Sequence, residues 1–290
     1  MGNAYEERLG TDRMLPLIFK MSLPAVAAQL VNLLYNIVDR IYIGHIPGIG
    51  TDALAGIGVT SAVIVLISSF SAIVGAGGSP LAAIALGRGN RERAGQILGN
   101  GFILLLIFTI LTSATTYLFM EPILLFTGAS ENTIGYATDY LSIYLLGTLF
   151  VELSVGLNTF INTQGRPTIA MYSVLIGAIL NIGLDPLFIF TFGMGVKGAA
   201  LATILSQACS AIWVISFLTS KKASLRLEYR YMKLHKGIIL SILALGVSPF
   251  IMASTESLVG FVLNSSLEKF GDIYVSAPVS YTHLTLPTIR

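Results

Sequence analysis

The sequence predicts an all-α integral membrane protein, and three observations lead to that fold class. Only 11% of the 290 residues are charged, whereas soluble domains carry about 25%. The mean hydropathy of the chain is +0.79. Apolar segments of the roughly 20 residues that a helix needs to cross a bilayer follow one another along the chain. Because little chain lies between these segments, we expect no soluble domain and no enzyme.

These segments predict seven membrane-spanning helices. The first is longer than one crossing requires and contains Pro24, so we expect a tilt or a bend near that residue. The second has small residues before Pro80, which favours close helix packing followed by a kink. The other five are apolar runs separated by polar or basic loops. The predicted spans are residues 15–46, 53–86, 94–119, 134–162, 168–192, 198–218 and 237–263.

Lysine and arginine residues are unevenly distributed between the loops. Because basic loops stay in the cytoplasm, we predict a cytoplasmic N-terminus and a multi-pass protein of the cell membrane. Because no small-residue cleavage pattern closes a short apolar core near the N-terminus, we expect an uncleaved first helix. We interpret the basic segment between spans 6 and 7 as a topology signal and a linker near lipid headgroups, not as a nucleic-acid site. The opposite side holds only Arg40, Lys197 and Lys269. The basic residues on the predicted cytoplasmic side are Arg8, Arg13, Lys20, Arg88, Arg91, Arg93, Arg166, Lys221, Lys222, Arg226, Arg230, Lys233 and Lys236.

A short internal repeat indicates how the chain is organised. The tripeptide SLP opens span 1 and VSP lies early in span 7, and aligning their prolines places Asn264 where Asp39 stands. Six helices, a basic linker and a restart indicate a duplicated transporter of two six-helix lobes. Residues 278–290 look foreign or artefactual, since polar residues and two prolines stand where the repeat predicts an apolar helix. The predicted parts are a first six-helix lobe at 1–220, a basic cytoplasmic linker at 221–236, the start of a second lobe at 237–277, and this tail.

Span 1 carries the leading candidate for a functional residue. Gln29, Asn32, Asn36 and Asp39 are spaced three, four and three residues apart, which places them on one face of a helix. A polar stripe that ends in a carboxylate does not face lipid. We therefore predict that this face points to other helices or to a wet cavity, with Asp39 as the main functional group.

Spans 5 and 6 supply a second set of polar groups. Asn181 and Asp185 are four residues apart and share a helix face, and Pro186 predicts a broken helix beside the carboxylate, as in many membrane ion sites. Span 6 adds Thr203, Ser206 and Gln207. At 1.5 Å per residue, Asp39, Asp185 and Thr203 lie about 8, 12 and 9 Å below the predicted outer ends of their helices. Groups from three helices thus fall in one layer.

The alternative interpretation is that these polar residues only join helices by hydrogen bonds. For the amides and hydroxyls taken singly, that interpretation is at least as good as a functional one. For two membrane carboxylates at similar depth, function is favoured. Glu256 in span 7 is a candidate second polar or substrate group, and Glu152 in span 4 is either functional or a buried, protonated, hydrogen-bonded residue. The three histidines show no metal-ligand spacing.

The sequence resembles the multidrug and toxic compound extrusion (MATE) transporters. The motifs that carry the resemblance cover about residues 14–277, and it implies twelve helices in two lobes and export of organic, often cationic compounds by coupling to a cation. It also implies that Asp39, Asn181, Asp185 and Thr203 form a cation site in the first lobe. The motifs are SLP to Asp39, QGRP at 164–167, NIGLDP at 181–186, GAALAT at 198–203, and the span 7 run SPFIMASTESLV with Asn264.

We therefore predict an antiporter in which a proton or Na⁺ binds at Asp39 and Asp185, with no cofactor and no other metal. Gln29, Asn32, Asn36, Gln207 and Glu256 are the predicted substrate or secondary polar sites. The expected partners are small organic molecules and the lipid bilayer, without nucleic acid, for a monomeric protein. The alternatives are a flippase of related fold for lipid-linked precursors, a membrane enzyme, or a non-transporting membrane fragment. A flippase would need Lys or Arg in its cavity, and an enzyme a cluster of catalytic residues.

Overall fold

The computed structural model describes residues 14–268, and in that part the chain forms helices and no strand. Seven helices in it are long and apolar enough to cross a membrane, so the predicted all-α membrane class and its seven spans are confirmed. The predicted tail at 278–290 lies outside the described residues. The helices are α1 (Met14–Gly44), α2 (Gly50–Gly87), α3 (Arg91–Leu118), α4 (Met120–Phe126), α5 (Ile134–Thr163), α6 (Pro167–Pro186), α7 (Val196–Thr219) and α8 (Lys236–Glu268).

Local sequence explains several helix boundaries. The Asn90 side chain accepts a hydrogen bond from the Arg93 amide at 2.9 Å and caps α3, as N-cap residues do. Pro167 is the first residue of α6, where a missing amide hydrogen costs nothing. Pro24 and Pro80 lie inside the continuous helices α1 and α2.

Helix α4 was not predicted from the sequence. It is only seven residues long, and its third residue, Pro122, fits the first turn of a helix. Met120 and Leu124 are buried, and α4 contacts α5. Packing on a neighbouring helix therefore stabilises an element too short to form alone.

Helix α2 lies at the centre of the bundle and packs against α3, α5 and α8. Glycines let the backbones of α2 and α8 approach closely. A β-carbon on Gly77 would collide with the Ile242 carbonyl oxygen, and one on Gly246 would collide with the Ile73 carbonyl oxygen. Small residues favour such close contacts between membrane helices.

Helix α1 is peripheral, in contrast to α2. It packs mainly against α6, and Ile43, at its last turn, is its one buried residue. None of the 18 residues in its most apolar stretch is buried, against 61% for α2. Large apolar side chains on this helix, such as Leu23 and Leu30, are exposed in the described part of the chain.

The segment between α7 and α8 is docked on helix ends by buried amides. Asn100 of α3 donates to the Lys233 carbonyl oxygen at 3.0 Å and accepts from the His235 amide at 2.8 Å. Gln164, at the end of α5, accepts from the amide of Leu225 at 3.0 Å, and Leu225 is buried. The interpretation as a linker near headgroups missed these contacts, because an isolated Asn or Gln in a sequence does not identify its backbone partner.

Candidate cation site

The contact between α1 and α6 brings together the two predicted acidic residues. Asp39 lies in the penultimate turn of α1, and Asp185 lies one residue before the end of α6. Their carboxyl groups lie within hydrogen-bonding reach of each other. Asp185 is 0% exposed, so its carboxyl faces protein and not acyl chains.

Neutral polar groups from α6 and α7 surround the acidic pair. Asn181 is one helical turn before Asp185, as its spacing predicts, and it is 2% exposed. Its Nδ2 donates to Asp185 Oδ1 at 3.2 Å and, more weakly, to the Thr203 Oγ1 on α7 at 3.5 Å. The Tyr140 hydroxyl of α5 also forms a hydrogen bond with Thr203. Four helices therefore contribute to one polar cluster.

Three buried oxygen atoms of the cluster have no hydrogen-bond donor: Asp39 Oδ1, Asn181 Oδ1 and Asp185 Oδ2. A buried acceptor without a donor is costly, and a charged one is far more so. Two carboxylates close together repel each other, and a shared proton or a bound cation relieves that repulsion. Carboxylate and amide oxygens are hard ligands, the kind that a proton or an alkali cation binds.

Arg40 is the positive charge next to the pair. It follows Asp39 on the same helix, and although its side chain starts about 100° around the axis, it still interacts electrostatically with that carboxylate. Two ionised acids and one arginine leave one negative charge uncompensated. A single monovalent cation would therefore neutralise the site.

The helix containing Asp185 is not broken at Pro186, contrary to the prediction. The α-helix runs to Pro186, and a π-helix at Leu187–Thr191 continues it. The wider π turn accommodates Pro186, which has no amide hydrogen to donate, so the helix continues without a break. The acid therefore lies at a change of helix type, a common place for a functional residue.

A cavity of about 210 Å³ opens between α1, α5, α6 and α7. The Ser154 hydroxyl, on its wall, donates to Gln207 Oε1 at 2.7 Å. Tyr35 also bonds Gln207 and interacts electrostatically with Asp39, so the cavity adjoins the acidic cluster. The described residues that line the cavity are Ala28, Gln29, Asn32, Tyr35, Ser154, Val155, Asn158, Thr159, Asn162, Ser173, Val174, Gly177, Ala178, Gln207 and Ser210.

Residues 24–187, more than half of the chain, match the sequence model of the MatE family. The chain belongs to the MatE family. These residues contain Asp39, Asn181 and Asp185, and Thr203 lies beyond them.

Curated sequences and solved structures agree with MatE membership. The chain is 27% identical over 256 residues to the multidrug export protein MepA of Staphylococcus haemolyticus (strain JCSC1435), covering 88% of the chain and 56% of MepA. MepA of Staphylococcus saprophyticus is 26% identical, with the same coverage. The chain thus spans a little over half the length of the curated relatives that it matches.

Two solved MATE structures show how far the fold is shared. The MATE multidrug transporter DinF-BH superimposes with a TM-score of 0.91 at 32% identity, over 97% of this chain and 63% of DinF-BH. An inward-facing multidrug resistance MATE family transporter of the MOP superfamily superimposes with a TM-score of 0.82 at 26% identity, over 93% of this chain and 61% of that transporter. The helix arrangement of the MatE chain is therefore that of known transporters.

Not all residues of the predicted stripe on α1 of this MatE chain have the same surroundings. Gln29 and Asn32 line the cavity, and Asp39 lies in the acidic cluster. Asn36 instead donates to the carbonyl oxygen of Asn32 at 2.7 Å. Glu256 is exposed on α8. The structure thus brings together Asp39, Asn181, Asp185 and Thr203, with Gln29, Asn32 and Gln207 on the adjoining wall.

Sequence reasoning missed three polar residues of this site: Tyr35, Tyr140 and Ser154. Tyr35 could have been found, because it is three residues after Asn32 and four before Asp39 on the same helix face. Nothing in the sequence marked Tyr140 or Ser154, since their partners lie on other helices. Among residues 14–268 no group of three or more His, Cys, Asp or Glu side chains could hold a metal ion.

Proposed function

We propose that the chain forms the cation-coupled lobe of an antiporter that exports organic compounds across the cell membrane, with a cytoplasmic N-terminus. The observation that carries the proposal is the trio of buried, donorless oxygens on Asp39, Asn181 and Asp185. MatE membership and the multidrug export of the MepA relatives support it.

In the proposed cycle, a proton or Na⁺ enters from outside and binds between Asp39 and Asp185. Binding removes the repulsion between the carboxylates and stabilises α1 against α6. Because α1 is the wall of the cavity that is least held by other helices, a change in its packing near Pro24 alters the cavity and releases the exported compound. A membrane potential of about 100 mV contributes about 2.3 kcal/mol per charge moved inward.

The cavity wall supports a neutral or cationic compound as the cargo. Its described lining has amides, hydroxyls and a tyrosine but no lysine or arginine. Amide and hydroxyl oxygens accept hydrogen bonds from ammonium groups, and Tyr35 offers an aromatic face to a cation. An anionic lipid-linked precursor would find no positive partner on this wall, which leaves the flippase alternative without support.

The test is dye efflux from bacterial cells that lack other drug pumps and express this protein. Asp39→Asn and Asp185→Asn should each abolish efflux, because an amide cannot exchange a proton or hold a cation as a carboxylate does. Asp139→Asn is the matched control, since Asp139 is a surface acid paired with Lys197. Membrane insertion, measured by immunoblot, should be equal in all three variants.

Addition of a protonophore distinguishes the coupling ion. Efflux that stops with the protonophore indicates protons, and efflux that persists but requires external Na⁺ indicates sodium. Export by both Asp variants at the rate of the Asp139→Asn control would contradict the proposed role of the pair.

A further inference from the structure

A second acid is buried in the lobe, away from the acidic pair. Glu152 lies in the middle of α5 and is 2% exposed. Its carboxyl interacts with the hydroxyl groups of Ser68 and Ser71 and with the main chain of Ser71, all on α2. Its Oε1 atom is buried and has no hydrogen-bond partner. A carboxyl that interacts with neutral groups and keeps one oxygen without a hydrogen bond is unusual in the middle of a membrane helix.

Within residues 14–268, the groups around the Glu152 carboxyl are neutral. In residues 14–268 Glu152 forms no ion pair with a lysine, arginine or histidine. The titratable group that faces it is Tyr144, on its own helix, and Tyr144 in turn interacts with Tyr35 of α1. Helix α2 presents only the two serines. From α3, α6 and α7, which also pack against α5, no ionisable side chain of the described chain interacts with Glu152.

The surroundings suit a proton better than a metal cation. Burial of an unpaired carboxylate costs far more free energy than burial of a neutral carboxylic acid. The Ser71 hydroxyl already donates its hydrogen to the Ser68 carbonyl oxygen at 2.7 Å, so it can only accept a hydrogen bond from Glu152, and that bond requires a proton on the carboxyl. A proton on Oε1 would neutralise the group without further ligands.

The polar cavity lies close to Glu152 along the same face of α5. Val155 and Thr159 follow Glu152 by three and seven residues, which places them on its face of the helix, and both line the polar cavity. The carboxyl therefore lies about one turn beyond the cavity wall. The Ser68 hydroxyl bonds both Glu152 and Tyr144, which adds a mobile proton donor next to the acid.

We propose that Glu152, together with Ser68 and Ser71, is a second proton-binding site of this lobe, separate from the Asp39–Asp185 pair. Neither acid of the pair interacts with Glu152. The inference deepens the proposed function, because a second exchangeable proton lets the lobe take up more than one proton in a transport cycle. Proton binding itself is measurable without transport, so the two proposals fail independently.

The experiment is infrared difference spectroscopy of the purified chain in lipid, titrated with pH. Protonated carboxyls give a C=O stretching band that shifts in D₂O and disappears on ionisation. The wild-type chain should show a titrating band that is lost in Glu152→Gln and retained in Asp39→Asn and Asp185→Asn. Glu131→Gln, which changes an exposed acid before α5, is the control and should leave the band unchanged.

Further variants separate proton binding from a folding defect. Glu152→Asp keeps the acid and should restore a titrating band, and Ser71→Ala should shift the frequency of the Glu152 band by removing a hydroxyl that bonds the carboxyl. A titrating band of wild-type intensity in Glu152→Gln overturns the proposal, because the acidic pair alone would then account for it. A Glu152 band that is insensitive to pH also overturns it, since Glu152 would then be a permanently neutral packing group. Loss of the band on adding Na⁺ at constant pH would also overturn it, because the site would then bind sodium.

Discussion

The two buried acidic sites of this lobe lie on helices of opposite character. Asp39 lies on α1, where none of the 18 residues in the most apolar stretch is buried, whereas Glu152 lies on α5, where 67% of that stretch is buried. The partner of Asp39 is another acid, and the partners of Glu152 are two hydroxyls. Charge neutralisation at the first site therefore acts between a peripheral helix and its main neighbour, while at the second it acts between α5 and α2, two helices of the bundle interior.

This difference would give the two proposed proton-binding sites different consequences. A helix that packs mainly on one neighbour can shift when its acid is neutralised, because few other contacts must break. A helix held on several sides resists the same change, because packed cores respond as a unit. The acidic pair is thus suited to drive a conformational change, and Glu152 to store a proton.

The largest expected difference between the two sites is in transport activity. Asp39→Asn should abolish dye efflux, whereas Glu152→Gln should lower it about fivefold, at the small end of the coupling between sites in one protein. Efflux is measured in the same cells at equal expression, with Asp139→Asn as the reference. If Glu152→Gln abolishes efflux as fully as Asp39→Asn, the two sites do not differ in the way proposed.

The difference in packing can be tested with glycine substitutions. A β-carbon at Gly156 on α5 would meet the Leu105 side chain at 2.9 Å, whereas one at Gly183 on α6 would meet nothing within 4 Å. Gly156→Val should therefore destabilise the protein by about 1–3 kcal/mol, and Gly183→Ala should stabilise it by up to about 1 kcal/mol through helix propensity. Thermal unfolding in detergent measures both, and equal midpoints would refute the contrast.

The smallest expected effect concerns the cavity wall between the two sites. Ser154→Ala removes the hydroxyl that donates to Gln207 and should lower the free energy of unfolding by about 1 kcal/mol. Because Tyr35 still bonds Gln207, the cavity should persist, with substrate affinity reduced about fivefold. Binding of a fluorescent cationic dye measures the change, and Ser142→Ala, at a serine that bonds only within α5, is the control. An unchanged affinity would show that the wall does not contact the substrate.

Much of the acidic pair could be predicted because carboxylates in apolar segments are rare. The four-residue spacing of Asn181 and Asp185 predicted that they share one face of a helix. The estimated depth of Thr203 below the end of its helix predicted that it lies in the same layer. The prediction of a helix break at Pro186 was wrong, since a π-helix continues the chain. That outcome depends on how the following residues pack, and a proline alone does not specify it.

The cavity and the Glu152 site were harder to predict from the sequence. Ser154 and Asn158 are ordinary polar residues until α7 and α6 supply their partners, Gln207 and the Ala170 carbonyl oxygen. Glu152 could be recognised as a buried acid, but Ser68 and Ser71 lie more than 80 positions earlier in the chain. No periodicity within a single helix links residues so far apart.

The sequence by itself determined the membrane class, the seven spans and which acids lie inside them, because an apolar stretch of sufficient length and a charge within it are local properties. Only the tertiary structure decided that Asp39 meets Asp185 while Glu152 meets two serines. The physical reason is that helical geometry fixes which residues share a face, whereas the rotation and pairing of helices follow from side-chain packing between distant segments.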